Sequence, residues 1–422
     1  MLNPRVVNTI EDAKSIINER NLTHVKVGVF DVDGILRGKY MSKEKFVSSL
    51  DNGFAFCDVV LGWDSKDQLY DNVSYTGWHT AYPDAPVRVV PESCREIPFE
   101  DNTLIFIGEF TGEAAKICPR NVLKRVIKRA QDMGFYPFAA FEYEFFLFKE
   151  TPQSAREKNF RNLTTWTQGW FGYSVLRNSV NSDFMTQILA MSEAMDFPIE
   201  GLHSETGPGV LEAAIAVDSA ENAADKAALF KTFMKVLAQR NDLMATFMAK
   251  WSKDYPGQSG HIHVSLRNRD GSGSAFYDAN QEHCMSKTQR HFVAGQQRLM
   301  PEFLSMIAPT INSYTRLIPG AWAPTSATWG IENRTTALRV IPGSDKSQRV
   351  EYRLGSADGN PYLALAAALA SGLYGIANAW ELEPPVKGNA YDHQHAEQMA
   401  LPTTLWDAAQ RLKNSQAARE LF

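Results

Sequence analysis

Three short segments of this 422-residue chain alternate apolar and reactive side chains with a period of two, and no other feature limits the possible folds as tightly. In 141–148, Glu142 and Glu144 stand two apart. In 260–266, His261, His263 and Ser265 alternate with Ile262, Val264 and Leu266. In 349–354, Arg349, Glu351 and Arg353 alternate with Val350, Tyr352 and Leu354. A period of two is the side-chain repeat of a β-strand, so each segment puts its polar groups on one face and its apolar groups on the other. The plain alternative is three amphipathic strands facing water, as the polar faces of antiparallel sheets usually do. Against it, Phe141, Phe145, Phe146 and Phe148 make the first segment too apolar for a solvated edge. Two carboxylates in such a place repel and lose hydration unless a cation compensates or their pKa rises.

A fourth acidic element, HSETGPGVLEAA, carries Glu205 and Glu212 around Gly207, Pro208 and Gly209. The glycines break a helix, so the chain is expected to loop and bring the second Glu back beside the first. With Glu142, Glu144, Glu351 and His261 this makes an oxygen-rich set suited to Mg²⁺ or Mn²⁺ rather than Zn²⁺. The carboxylates are too many for one magnesium, which implies two or three ions. Arg316, Arg334, Arg339, Lys346, Arg349 and Arg353 form a cationic band within a short stretch of chain. Guanidinium forks match phosphate and carboxylate geometry. Several Mg²⁺ ions beside arginines are the apparatus of phosphoryl transfer.

The rest of the chain reads as an α+β protein. The first ~20 residues form an amphipathic helix pattern. A strand follows on Val25, Val27 and Val29, then an Asp33-Gly34 turn and a return strand over 35–40. From Pro119 the texture changes to strands alternating with long helices, such as one expected over 220–250. The division is expected at 112/113, giving a small β-rich domain over 1–112 and a larger one over 113–422. The stretch 362–380 is long enough to span a bilayer, but it is mostly Ala with Ser371, Gly372, Gly375 and Asn378 inside. With Asn360 as N-cap and Pro361 behind it, this reads as a buried helix and not a membrane segment. The net charge of −5 gives no global attraction for nucleic acid or an anionic membrane. Four scattered cysteines without a CxxC pair, and an N-terminus without an apolar signal core, point to a reduced, cytoplasmic protein. Asp31-Val32-Asp33-Gly34 matches the nucleophile motif of haloacid-dehalogenase-type phosphatases, a competing enzyme reading. The hairpin return after it, and the lack of a later acidic pair, favour a plain Asp-Gly turn.

In the order FEYEFFLF, HSETGPGVLE, GHIHVSL, NSYTRLIPG, NRTTALRV and RVEYRLGSADGNPYLALAAAL, the chain resembles the glutamine synthetase superfamily over nearly its whole length. The resemblance implies a β-grasp-like N-terminal domain and a catalytic domain with a curved antiparallel sheet. It also implies a homo-oligomer, a dodecamer of two hexameric rings, with active sites between subunits. One Mg²⁺ or Mn²⁺ is then expected on Glu144, Glu205 and Glu212, and a second on Glu142, His261 and Glu351. Arg316 and Arg353 would hold the carboxylates of glutamate, with Gly257 nearby. His263, Ser265, Arg334, Arg339 and Lys346 would line the ATP phosphates and base. Asp64, with Asp67 close by, matches the aspartate that deprotonates the nucleophile in a neighbouring subunit. The implied reaction is phosphorylation of glutamate by ATP, followed by attack of an amine. A non-catalytic regulatory paralogue is a further reading, disfavoured because all six metal-ligand positions are filled.

Two departures stand out. Ammonia-using members carry a glutamate on a flap after RL-x-PG, and here RLIPGAWAP puts Trp322 at that position. A Trp offers an apolar wall or a cation–π face instead of a carboxylate. The expected product is therefore a γ-glutamyl amide of an organic amine, with ammonia-dependent glutamine synthesis as the alternative. In addition, Pro256 stands where the family's glutamate site commonly has Asn. The chain is also expected to end short of the family's usual C-terminus.

Overall fold

The structure, a computed structural model, describes residues 3–422. The first part of the chain builds a five-stranded sheet from β1 (His24–Phe30), β2 (Leu36–Ser42), β3 (Phe54–Cys57), β4 (Asp84–Glu96) and β5 (Leu104–Phe110), in the order β2-β1-β5-β4-β3. β1 runs parallel to β5, and the other pairs are antiparallel. Helices Ile10–Glu19 and Lys43–Asn52 lie on this sheet and bury Ile16, Ile17 and Phe46 against it. Phe46 meets Phe106 at 4.9 Å between ring centroids. The first helix starts in a full capping box, Thr9 and Asp12 each satisfying the other's backbone N–H. The Asp33-Gly34 turn joins β1 to β2 as a hairpin, and Gly34 takes a positive φ.

The rest of the chain forms a nine-stranded sheet. Its strands are β6 (Phe135–Phe148), β7 (Ile199–Ser204), β8 (Val210–Ile215), β9 (Asp218–Ser219), β10 (Met244–Thr246), β11 (Gly260–Asn268), β12 (Trp329–Ile331), β13 (Leu338–Ile341) and β14 (Arg349–Tyr352). The main path runs β12-β13-β14-β11-β6-β8-β7, and β9 and β10 pair with β6. All pairs except β12/β13 are antiparallel. One sheet face is covered by helices Pro119–Asp132, Ala220–Arg240, Lys287–Ile307 and Pro361–Ala377 in a single apolar cluster. The last of these is the Ala-rich helix. Asn360 caps it, accepting from the N–H groups of Tyr362 and Leu363, and most of its length is buried. Among the described residues no helix is long and apolar enough to cross a membrane. The helix expected over 220–250 ends at Arg240. Asp242 adopts a left-handed φ of 56° and the chain turns into β10. Asn and Asp, whose side chains compete for backbone groups, favour such a stop.

The two sheets are bolted together by buried polar contacts. Arg120 forks onto Asp225 at 2.9 Å through both Nε and Nη2, and also pairs with Glu109 of β5. The Tyr362 hydroxyl donates to Asp225 at 2.6 Å. Asn360 Nδ2 donates to the carbonyls of Asp31 and Val32, tying the first hairpin to the start of the Ala-rich helix. The apolar cluster of the first sheet runs to Cys118, and we place the division of the chain in the stretch 111–118 that links the sheets.

Candidate active site

β14, β11, β6, β8 and β7 are consecutive neighbours, so the polar faces of three separate segments become one surface. Cross-strand partners make its rows. His203, Glu212 and Glu144 follow one another across β7, β8 and β6. Glu142 faces His261 across β6 and β11. His263, Glu351 and Arg339 continue across β11, β14 and β13. Directly opposed residues on one face of a sheet lie within side-chain contact, so register alone forces these groups together. The Gly207–Gly209 turn, with both glycines at positive φ, folds β8 back so that Glu205 and Glu212 meet as expected.

A cavity of about 420 Å³ opens over this surface. Glu142, Glu144, Glu205, Glu212, His261 and Glu351 all line it. So do Gly257, Arg316, Trp322, Arg334, Arg339 and Arg353. His263, Ser265 and Lys346 line an adjacent cavity of about 250 Å³, which shares Glu142 as a wall. Asp64 lies in neither cavity. It sits in a turn of the first sheet's domain, where its Oδ1 accepts from the N–H groups of Lys66 and Gln68 and its carboxyl is held below the usual range by those bonds, Gln68 first. Arg37 braces that turn, donating to Asp31, to Asp67 at 2.6 Å and to the Asp64 carbonyl.

The least exposed carboxylate of the cavity is Glu351, at 1% exposure. Arg353 Nη1 reaches its Oε1 at 2.6 Å, Arg339 Nη1 its Oε2 at 3.1 Å, and His261 Nδ1 its Oε1 at 3.2 Å. Burial by itself would raise this carboxyl, but His261, Arg353 and His263 outweigh it and hold it at about 2. Glu142 is likewise held well below the usual range. His261 and His263 overcome its desolvation. Glu144 goes the other way, raised by burial and by Glu212 opposite, although Ser259 N–H donates to its Oε2 at 2.6 Å. On the cationic side, burial lowers Arg316 to about 10 despite the pull of Glu144.

The close-packed donor groups differ in detail from the expected division. Glu142, His263 and Glu351 form one compact set, with His263 Nε2 at 3.3 Å from Glu142. The second is His203, Glu205 and Glu212, with Glu144 beside them. The two imidazoles of β11 differ at Nδ1, which faces Glu351 at 3.2 Å in His261 and Arg349 in His263. Arg349 Nε donates to His263 Nδ1 at 3.2 Å, which leaves the proton of a neutral ring on Nε2, facing Glu142. Nε2 of both rings is buried without a hydrogen-bond partner among the described residues, His263 Nε2 lying 3.3 Å from Glu142. A buried, unpartnered imidazole nitrogen beside carboxylates is free to bind an ion. The donor set, mostly carboxylate oxygen with one imidazole, fits Mg²⁺ or Mn²⁺. Arg353 Nε and Ser259 Oγ are also buried without partners, as expected where a polar ligand completes the bonding.

Among the lining residues that escaped the sequence reading, His203 and Tyr173 matter most for the site. His203 stands two residues before Glu205, the same i, i+2 spacing as Glu142 and Glu144, and its Nε2 lies 3.2 Å from Glu212. Glu212 raises its pKa against the effect of burial. Tyr173 stacks on His203 at 4.3 Å between centroids and forms an aromatic wall of the cavity. No local pattern marks Tyr173, because the approach of its loop is long-range.

The family described as "Glutamine synthetase, catalytic domain" matches residues 116–422. The chain is 45% identical over 420 residues to "Type-1 glutamine synthetase 2" of Dictyostelium discoideum, covering 98% of this chain and 79% of that one. It is 34% identical over 416 residues to "Glutamate--isopropylamine ligase" of a Pseudomonas species, covering 97% and 90%. Among solved structures, one described as a GmaS/ADP complex superposes with a TM-score of 0.83 at 26% identity, covering 97% of this chain and 91% of that one.

Proposed function

The chain belongs to the glutamine synthetase family and is an ATP-dependent carbon–nitrogen ligase, and on that premise we propose that it joins L-glutamate to an organic amine as a γ-glutamyl amide. Trp322 carries this reading. It lines the cavity from the flap, and its segment, 317–323, offers no carboxylate. With Tyr173 it gives the nucleophile's side of the cavity two aromatic walls, which suit an amine bearing carbon. The relative named as a glutamine synthetase favours ammonia as a second reading. Amide formation measured with ATP, Mg²⁺ and glutamate across ammonia and a panel of amines decides between them. Ammonia outperforming every organic amine would end the Trp322 argument.

In this reading Arg316 and Arg353 hold the carboxylates of glutamate, and His263, Ser265 and Lys346 face the nucleotide phosphates. Arg334 and Arg339 bring positive charge to the transferring phosphoryl group. Glu142, His261 and Glu351 would hold one divalent ion, and Glu144, Glu205 and Glu212 another, with His203 as an added donor. Bound there, such ions neutralise phosphate charge and orient the oxygens. The γ-carboxylate oxygen attacks the γ-phosphorus of ATP, and ADP leaves. The ammonium form of the amine gives a proton to a base, and Asp64 from an adjoining subunit is our assignment for that role. The amine nitrogen then attacks the γ-carbon, the carbon–oxygen bond to phosphate breaks, and phosphate departs with the second amine proton.

Gly257 gives a test of the glutamate site. A Cβ placed there would lie 2.6 Å from Arg316 Cγ and 2.8 Å from the Ala249 carbonyl. Gly257→Ala must therefore push Arg316 out of place. The expected result is a rise of about tenfold in KM for glutamate with a smaller change in kcat, since a misplaced guanidinium loses a charged hydrogen bond. An unchanged KM would remove Gly257 and Arg316 from the glutamate site.

Asp31 separates the ligase from the phosphatase reading. It is wholly buried, and it accepts from Arg37 at 2.8 Å and from the N–H groups of Asp33 and Ile35. Asp31→Asn is expected to lower stability by about 1–3 kcal/mol, the usual size for a charged hydrogen bond, and to leave turnover per folded molecule unchanged. Thermal melting and specific activity, measured together, check this. A dead but fully stable variant would revive the phosphatase reading.

A further inference from the structure

Trp322 and Arg334 each line two spaces. One is the catalytic cavity. The other is a groove of about 1130 Å³ on the far side of the flap, which no step of the reaction uses. Its floor is Trp329 and Ile331 of β12, and its outer wall is the segment 382–388, with Leu382 and Pro385 turned to it. Named hydrogen bonds hold that wall in place. Trp329 Nε1 donates to the Glu383 carbonyl at 2.8 Å, and Val386 N–H donates to the Trp329 carbonyl at 2.9 Å. Asn333 Nδ2 donates to the carbonyls of Val386 and Gly388. The flap side is held too, because the Tyr391 hydroxyl donates to the Ala323 carbonyl at 2.8 Å, next to Trp322. The groove is thus built by the fold and needs no ligand to form.

We propose that this groove is the subsite for the substituent of the amine, and that the substrate is a primary amine bearing an extended apolar group, alkyl or aryl. This rests on the organic-amine reading above. Trp322 separates the two spaces, so an amine lying across it puts nitrogen among the carboxylates of the cavity and its carbon chain in the groove. The acids at the groove argue against a second ammonium there. Glu332 is already paired with Arg339, Glu282 lies 3.3 Å from His283, and Arg290, Arg334 and Lys387 line the same groove as Glu383. Beside these charges, Trp322, Trp329, Ile331, Leu382, Pro384 and Pro385 give the groove an aromatic and aliphatic surface of the kind that lines a small-molecule pocket.

The test is a homologous series of ammonia, ethylamine, n-butylamine and n-hexylamine, with kcat/KM measured for the wild type, Ile331→Lys and Leu382→Lys. Each buried methylene is expected to raise kcat/KM by about fourfold in the wild type. Both variants should flatten that rise to within about twofold while leaving ammonia and ethylamine unchanged. Two variants on different elements guard against one failing to fold. A flat wild-type series, or a rise that both variants retain, overturns the proposal. So does 1,6-diaminohexane outperforming n-hexylamine, since the subsite would then not be apolar. If ammonia outperforms every amine of the series in the wild type, the organic-amine reading fails by itself. The groove is then probed by n-hexylamine competing with ammonia. Competition lost in Ile331→Lys supports an apolar subsite there, and no competition in the wild type overturns it.

Discussion

Glu351→Ala is expected to cripple ATP-dependent amide formation, with a loss of about 10²–10³ in kcat/KM, the scale of removing a preorganised electrostatic group. Glu351 is the point where Arg353, Arg339 and His261 converge. Taking it away leaves Arg353 and His261 buried without their carboxylate, and an unpaired buried charge costs about 3–5 kcal/mol. Melting should therefore fall along with activity, and the two effects need separating. Glu351→Gln keeps the volume and most of the hydrogen bonding but not the charge. It should stay folded and still be inactive. ADP release with glutamate and Mg²⁺, beside a melting curve, reads both. Turnover near the wild-type level in the folded Gln variant would contradict the assignment of Glu351 to an ion.

Trp322→Glu is expected to shift nucleophile choice toward ammonia, lowering the ratio of kcat/KM for an organic amine to that for ammonia by about 10²-fold. That is the range an apolar contact can discriminate. Trp322 is 62% exposed and holds a left-handed φ of 56°. A large side chain is not there for packing, and the backbone pays for the position, about 1 kcal/mol or more. Glu has the same backbone demand, so the exchange leaves that strain as it is and changes only the wall. An amine profile that does not move would show Trp322 to be a bystander.

The chemistry of the site was legible wherever it followed the local repeat of the backbone. Glu142 with Glu144, His261 with His263, and Glu351 with Arg353 stand two apart, and alternation of side chains across a strand is fixed by neighbouring residues alone. The Asp33-Gly34 hairpin and the capped Ala-rich helix were readable for the same reason, since turn and cap chemistry acts over a few residues. His203 carried that signal as well, two residues from Glu205, and went unread.

Other features depended on residues distant in sequence. Nothing near residue 142 says that its neighbours will be 261 on one side and the hairpin bearing 212 on the other. Strand order and register come from how the helices and the apolar face pack, and a slip of one residue would turn every one of these groups to the opposite face. The sequence by itself determined which side chains share a face. Only the tertiary structure decided which faces meet, which partners the two imidazoles of β11 find, and that Trp322 lines two spaces, because those outcomes depend on contacts between residues far apart in the chain.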